Sequence, residues 1–207
     1  MIKKYFAALS AIALIGVAPY ALAASSTDLT VTGLITPNAC TPTLSGGGIV
    51  DHGKLSAKDL QLDNPTRLPL ETVQLAVNCD AATAFRLLPT DNRRGTADAN
   101  YDYGLGFING DQKLGGFNLN IMTPMADGVA VQPLVSATNG STWFASSILN
   151  PSQLSAFGAV GGPTTPIAIK DLQTELRVRT VIARADSLDL TNEVALDGSV
   201  TITIAYP

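Results

Sequence analysis

Glutamate is nearly missing from this chain. It occupies three positions, Glu71, Glu175 and Glu193, against 14 aspartates. Aspartate favours turns and caps, whereas glutamate favours helix interiors. With 18 glycines and 12 prolines besides, the sequence excludes a protein built on long helices. Charge is scarce as well: 14% of residues are charged, against roughly a quarter in an ordinary soluble domain. Basic residues are the scarcer sign. Thirteen Lys and Arg against 17 acids leave a net charge of −4 and a pI near 4.8, which argues against the basic face a nucleic-acid binder needs. One histidine, His52, and two cysteines offer few ways to build a metal site or a catalytic dyad. Aromatic residues are 6%, too few for the girdles of an outer-membrane barrel.

What is present is apolar and local. Hydrophobic residues are 46% of 207, enough to fill the core of one domain with an appendage. The appendage is at the N-terminus. Met1-Ile2-Lys3-Lys4 is a short positive segment, Phe6 to Ala18 is uncharged and apolar, and Ala21-Leu22-Ala23 is a small-x-small cleavage site. This is the three-part pattern of a secretory signal peptide, so residues 1–23 are expected to be removed and residues 24–207 to form the mature domain. The apolar stretch stops at Pro19, short of the roughly 20 residues of a membrane span. The expected mature chain has 184 residues, 11 basic and 17 acidic, and no transmembrane helix.

Export implies an oxidising compartment, where Cys40 and Cys79 most simply form a disulfide. Closing a loop of that length constrains the unfolded chain by roughly 4 kcal/mol. The alternative is a reactive or metal-binding pair, but there is no CxxC spacing and His52 belongs to no ligand cluster.

Along the mature chain the hydrophobic period is two. Leu29, Val31 and Ile35 share a face before Pro37-Asn38 stops the run. A short run, Ile49 to Gly53, follows three glycines. From Leu68 to Cys79, Val73, Leu75, Val77 and Cys79 alternate with Thr72, Gln74, Ala76 and Asn78. Thr83, Phe85 and Leu87 alternate before Pro89, as do Phe117, Leu119 and Ile121, and then Leu176, Val178, Thr180 and Ile182. Last come Val200, Ile202, Ile204 and Tyr206 against Thr201, Thr203 and Ala205. Each is the pattern of a half-buried strand. Only Ser56 to Leu60 and Pro151 to Phe157 suit a helical turn or two, the latter with Pro151 at the first helical position. Residues 89–165, rich in Gly, Asn, Asp and Ser, are expected to hold long loops or a decorated edge. The expected fold is an all-β sandwich.

The search for catalysis returns little. Asp51 and His52 are adjacent and serines are many, yet there is no G-x-S-x-G elbow. Fourteen aspartates make chance carboxylate pairs unavoidable. Asp98-Ala99-Asn100-Tyr101-Asp102 begins like a calcium loop, but Tyr103 stands at the glycine position and Asn109 at that of the bidentate glutamate. Asn139-Gly140-Ser141 matches a glycosylation sequon, a short pattern with a high chance rate. No enzyme activity, metal or cofactor is expected.

Several segments, taken in order, resemble the subunits of chaperone–usher fimbriae. Leu29 to Cys40 is an alternating run into the first cysteine. Val50-Asp51-His52-Gly53 is similar to the Val-Asp-x-Gly stretch between the cysteines, and Leu75-Ala76-Val77-Asn78-Cys79 ends a long strand on the second. Leu196 to Pro207 resembles the final strand with its penultimate tyrosine. More narrowly, Leu114-Gly115-Gly116-Phe117 and Leu196-Asp197-Gly198 fit the bacterial fimbrial-like family known as domain of unknown function 1120.

The resemblance implies an incomplete, immunoglobulin-like, pilin-type sandwich, in which Cys40–Cys79 ties the first two strands together. Val200, Ile202, Ile204 and Tyr206 would line a groove that a missing strand leaves open. Such a groove is filled by strand addition, first from a periplasmic chaperone delivering to an usher, then from the extension of another fimbrial subunit. The implied destination is the periplasm, then the fimbrium or cell surface, with a structural or adhesive role. One departure stands out. Only Ala24 to Thr27 precede the first alternating run, which the domain itself would use. Either the cut lies elsewhere, or the subunit accepts a strand without donating one, or it is self-contained. The alternative reading is a periplasmic or secreted ligand-binding module or hydrolase, drawing on His52, Asp51 and the Asp98–Asp102 turn.

Overall fold

A computed structural model describes residues 30, 39–98 and 101–207. The chain divides into two compact units, residues 1–35 and 36–207, and every described strand belongs to the second. The expected signal peptide and the alternating run from Leu29 to Ile35 lie outside the described residues, save Thr30.

The described chain is almost entirely strand and turn. In order the strands are β1 (Cys40–Leu44), β2 (Thr66–Arg67), β3 (Glu71–Thr83), β4 (Arg86–Asp91), β5 (Tyr103–Gly104), β6 (Phe107–Ile108) and β7 (Gln112–Lys113). They continue with β8 (Gly115–Ala126), β9 (Val129–Ser136), β10 (Phe144–Ala145), β11 (Ile148–Leu149), β12 (Leu154–Ala159), β13 (Ile169–Ile182) and β14 (Val200–Ala205). Among the described residues no helix is long and apolar enough to cross a membrane.

Strand neighbours run β1-β3-β13-β8 on one side and β9-β12-β4-β14 on the other. The β8–β9 hairpin joins the two halves through the pairs Met125–Ala130 and Ala126–Val129. The longest strand, β13, sits between β3 and β8, antiparallel to both. Its inward positions Leu172, Thr174, Leu176, Val178, Thr180 and Ile182 are buried, as are Val73, Leu75, Val77 and Cys79 of β3 and Phe117, Leu119 and Ile121 of β8. The apolar ones share one core with Leu87 of β4 and Phe157 of β12. This is the all-β, disulfide-tied sandwich that the alternation predicts.

Proline and glycine explain the irregularities. β8 shifts register against β13 between Gln173–Met125 and Glu175–Met122. Two residues, Thr123, at φ 44°, and Pro124, stand there opposite the single Thr174. Proline has no N–H for a ladder, so it sits where the ladder is interrupted. Thr174 Oγ1 donates to the Met122 carbonyl at 2.8 Å and satisfies an acceptor there. Pro89, expected to end a strand, lies inside β4 opposite Ile202. Its other neighbour, β12, meets β4 in one pair only, Ser155–Leu87, so little ladder is lost.

Three expectations are corrected. Pro151 to Phe157 is not helical: a turn at Pro151-Ser152 leads into β12, whose residues Leu154 to Gly158 are all buried. Burial on both faces removes the alternation that marks a strand. Ile49 to Gly53 is irregular chain, not a strand. The 89–165 stretch is no decorated edge, because it contributes β8, β9 and β12 to the middle of the sheet order. The turn expected near Ser56 to Leu60 is present as a 3-10 turn at Ala57–Asp59.

Candidate functional site

β1 and β14 stand at the two ends of the strand order. β1 pairs only with β3, and β14 only with β4. Among the described residues each therefore has an unpaired edge. The two are near each other, because the Cys40 N–H donates to the Tyr206 hydroxyl at 2.9 Å. β1 leads from Cys40 toward Leu44, while β14 leads from Val200 toward Tyr206. Leu44 joins Val200 and Ile202 in the lining of the cavity between them. The two edges thus run in opposite directions across a gap.

Behind the gap the sandwich is hollow. A cavity of about 810 Å³ opens there, floored by Val73, Phe117, Leu119, Leu176 and Val178. Two irregular segments wall it: residues 48–60 on the β1 side, and residues 190–199 on the β14 side. Val200 and Ile202 line the cavity. Ile204 and Tyr206 are half-buried and pack against the core beside it. Thr201 and Thr203 face outward and are exposed. Cys40 and Cys79 are paired in register and joined by a disulfide, which fastens the first residue of β1 to β3.

The β14-side wall is held from outside. Asp197 accepts from Arg93 Nε at 2.8 Å and Nη2 at 2.6 Å, and its carbonyl accepts from the same Nε at 3.1 Å. The hydrogen bond from Arg93 lowers the Asp197 pKa and raises that of Arg93. Asn109 Nδ2 donates to the Asp189 carbonyl at 2.7 Å, and the Asp189 N–H donates to Gln112 Oε1 at 3.0 Å. Beside the Asp197 anchor, Gly198 passes so close to the floor that a Cβ there would lie 2.8 Å from the Phe117 ring. The Leu-Asp-Gly motif thus has a local account: Asp197 anchors the wall, and Gly198 admits the close approach. Likewise Gly115 and Gly116 leave no room for a Cβ against Val181 and Tyr101. That close passage lets Phe117 stack on buried Tyr103, with ring centroids 5.1 Å apart. Burial, with Asp102 and Asp91 nearby, pushes the Tyr103 phenol far up, so it stays a donor, to the Leu149 carbonyl at 2.7 Å.

Of the residues of the catalytic alternative, Asp51 and His52 line the cavity, whereas Asp98 and Asp102 do not. His52 lines the cavity and shares a 3.0 Å hydrogen bond with Thr180. Its neighbour Asp51 turns back to its own loop, accepting from the Gly53 N–H at 2.8 Å. Asp102 accepts from Asn118 Nδ2 and Asn150 Nδ2 at 2.8 and 2.6 Å, which ties separate segments together. Ala99 and Asn100 of the expected calcium-like turn lie outside the described residues. No cluster of metal-ligating side chains occurs among the described residues. The cavity walls, residues 48–60 and 190–196, carry no periodic signal, and the strand patterns do not mark them as part of a site.

The fold and its gap define an all-β sandwich with one disulfide and, among the described residues, two unpaired edge strands beside a cavity with an apolar floor. Residues 29–129 match the family described as Protein of unknown function (DUF1120). The chain is 30% identical over 253 aligned residues to Protein GltF of Escherichia coli (strain K12), covering 99% of this chain and 98% of that one. It is 24% identical over 204 residues to Uncharacterized protein YhcF of the same organism, covering 81% and 85%. The chain belongs to the DUF1120 family.

Proposed function

We propose that this protein is an exported, fimbrial-like structural or adhesive subunit, received at the cell envelope by β-strand addition. The observation that carries this is the gap between β1 and β14. Among the described residues two unpaired edges flank it, a cavity with an apolar floor lies behind it, and β14 turns Val200 and Ile202 inward. A row of free N–H and C=O groups beside apolar surface is a template for another strand and an aggregation hazard when left open. An added strand would satisfy the backbone and place alternate side chains in the cavity. A periplasmic chaperone, an usher and sister subunits are the partners this reading requires, with the periplasm and then the cell surface as its location. Catalysis has no part in it.

The test is co-purification of the exported protein with a periplasmic chaperone, together with amide exchange of β14. Strand addition protects the outward N–H groups of β14. A stable monomer that captures no chaperone and no strand peptide sinks the reading. The cavity itself favours a second reading, a ligand-binding module, because about 810 Å³ lies within the range of small-molecule sites. A small apolar ligand would raise the melting temperature and leave β14 exchange unchanged.

A further inference from the structure

A polar side chain interrupts the apolar floor of the cavity. Of the described strand residues that line it, Thr180 alone is polar. It is 3% exposed and lies on the inward face of β13 between Val178 and Ile182, opposite Phe117 in register. Valine would fill the same volume, and a buried hydroxyl costs free energy unless it is hydrogen-bonded. The partner comes from the wall: His52 Nε2 lies 3.0 Å from Thr180 Oγ1. His52 is half-buried and lines the cavity itself. Among the described residues its second ring nitrogen, Nδ1, has no partner. The pair thus keeps hydrogen-bonding capacity for a third group. Leu44, Leu55 and Leu196 line the cavity and are exposed as well, so its mouth is apolar. The charged lining residues, Asp51, Lys54 and Glu193, are all exposed. Two acids against one lysine disfavour a carboxylate or phosphate. A cation is not favoured either, because Lys54 repels it and Asp51 is engaged by the Gly53 N–H.

Resting on the reading of the cavity as a ligand site, we propose that the His52–Thr180 pair is its polar recognition point, and that the ligand is a neutral, mainly apolar molecule carrying one hydroxyl group. The floor takes the body of such a molecule and the pair takes its hydroxyl. A few placed polar groups in an apolar pocket fix the orientation of a small ligand. A hydroxyl both donates and accepts, so it meets either tautomer of His52. A bare hydrocarbon covers the pair without satisfying it and binds more weakly for that reason. The ligand so held touches both β13 and the irregular 48–60 wall.

The experiment uses the full chain and four probes of similar size that differ in their head group: butylbenzene, phenylpropanol, phenylpropionate and phenylpropylamine. Calorimetric titration at neutral pH gives the affinities. The parent chain should bind phenylpropanol more tightly than the acid or the amine. Thr180→Val keeps the shape and removes the hydroxyl; His52→Phe keeps a ring and removes both nitrogens. In each, phenylpropanol should weaken about two- to tenfold relative to butylbenzene, the equivalent of one net hydrogen bond. Thr180→Ser should keep the parent's ratio. Two independent variants cover a folding defect in either. A ratio that neither variant changes, with both probes still bound, overturns the recognition point and leaves the ligand-site reading standing. Tighter binding of the acid or the amine than of the alcohol overturns the neutral ligand. If the parent chain binds none of the probes, the ligand-site reading and the recognition point fall together.

Discussion

Arg93 grips Asp197 across 104 residues with two side-chain hydrogen bonds, 2.8 and 2.6 Å long. It joins the turn after β4 to the segment that walls the cavity before β14. The hydrogen bond from Arg93 holds the Asp197 carboxyl below its ordinary pKa. A depressed folded-state value means stability that is present above the ordinary aspartate range and lost as pH falls through the lower folded value. Asp197→Asn should therefore destabilise the protein at neutral pH, and the difference from the parent should shrink on acidification below about pH 4. Both side chains are substantially exposed, so the effect should be small and should weaken with salt. Urea denaturation of both proteins at several pH values and two salt concentrations checks this.

Gly198→Ala is expected to be harmful for a steric reason. Its Cβ would stand 2.8 Å from the Phe117 ring and 3.1 Å from Leu105. Either the Phe117–Tyr103 stack shifts or the wall lifts. A cost of about 1–3 kcal/mol, typical of overpacking, should appear in chemical denaturation. A change below about 0.5 kcal/mol, the usual size for an uncommitted surface site, would contradict the close approach.

The disulfide makes a direct prediction. Non-reducing mass analysis of the purified protein should find Cys40 joined to Cys79. Cys79→Ser should cost about 2–5 kcal/mol, and it should release the first residue of β1, the partner of Tyr206. Amide exchange at Cys40 should accelerate in that variant.

Ile202 separates core from groove. It is only half-buried and faces the cavity, so Ile202→Ala in the isolated chain should cost about 1–2 kcal/mol, below the roughly 2–5 kcal/mol of a fully buried aliphatic. Thr201→Ser, on the exposed face, should cost less than about 0.5 kcal/mol. Toward a strand peptide of alternating Val and Thr, the Ile202 variant should lose affinity while the Thr201 variant keeps it. Equal affinities would remove Ile202 from the groove.

Local sequence determined the elements whose two faces differ. Val73 to Cys79, Phe117 to Ile121, Leu176 to Ile182 and Val200 to Tyr206 alternate because one face of each meets the core and the other does not, and side-chain direction reverses at each residue of a strand. The disulfide was equally legible, since two cysteines allow one bridge. Tertiary structure decided everything that depends on a neighbour distant in sequence. Leu154 to Ala159 is a strand because β9 pairs with its whole length, and burial on both faces erased the alternation that would have marked it. Pro89 remains in β4 because β12 meets that strand at one pair only. The groove is the extreme case. It exists because β1 and β14, each regular by itself, end the strand order on opposite sides of one gap, and because Cys40 and Tyr206 meet across it. Hydrophobic period records which face of a strand is buried; it carries no information about which edge is left without a partner.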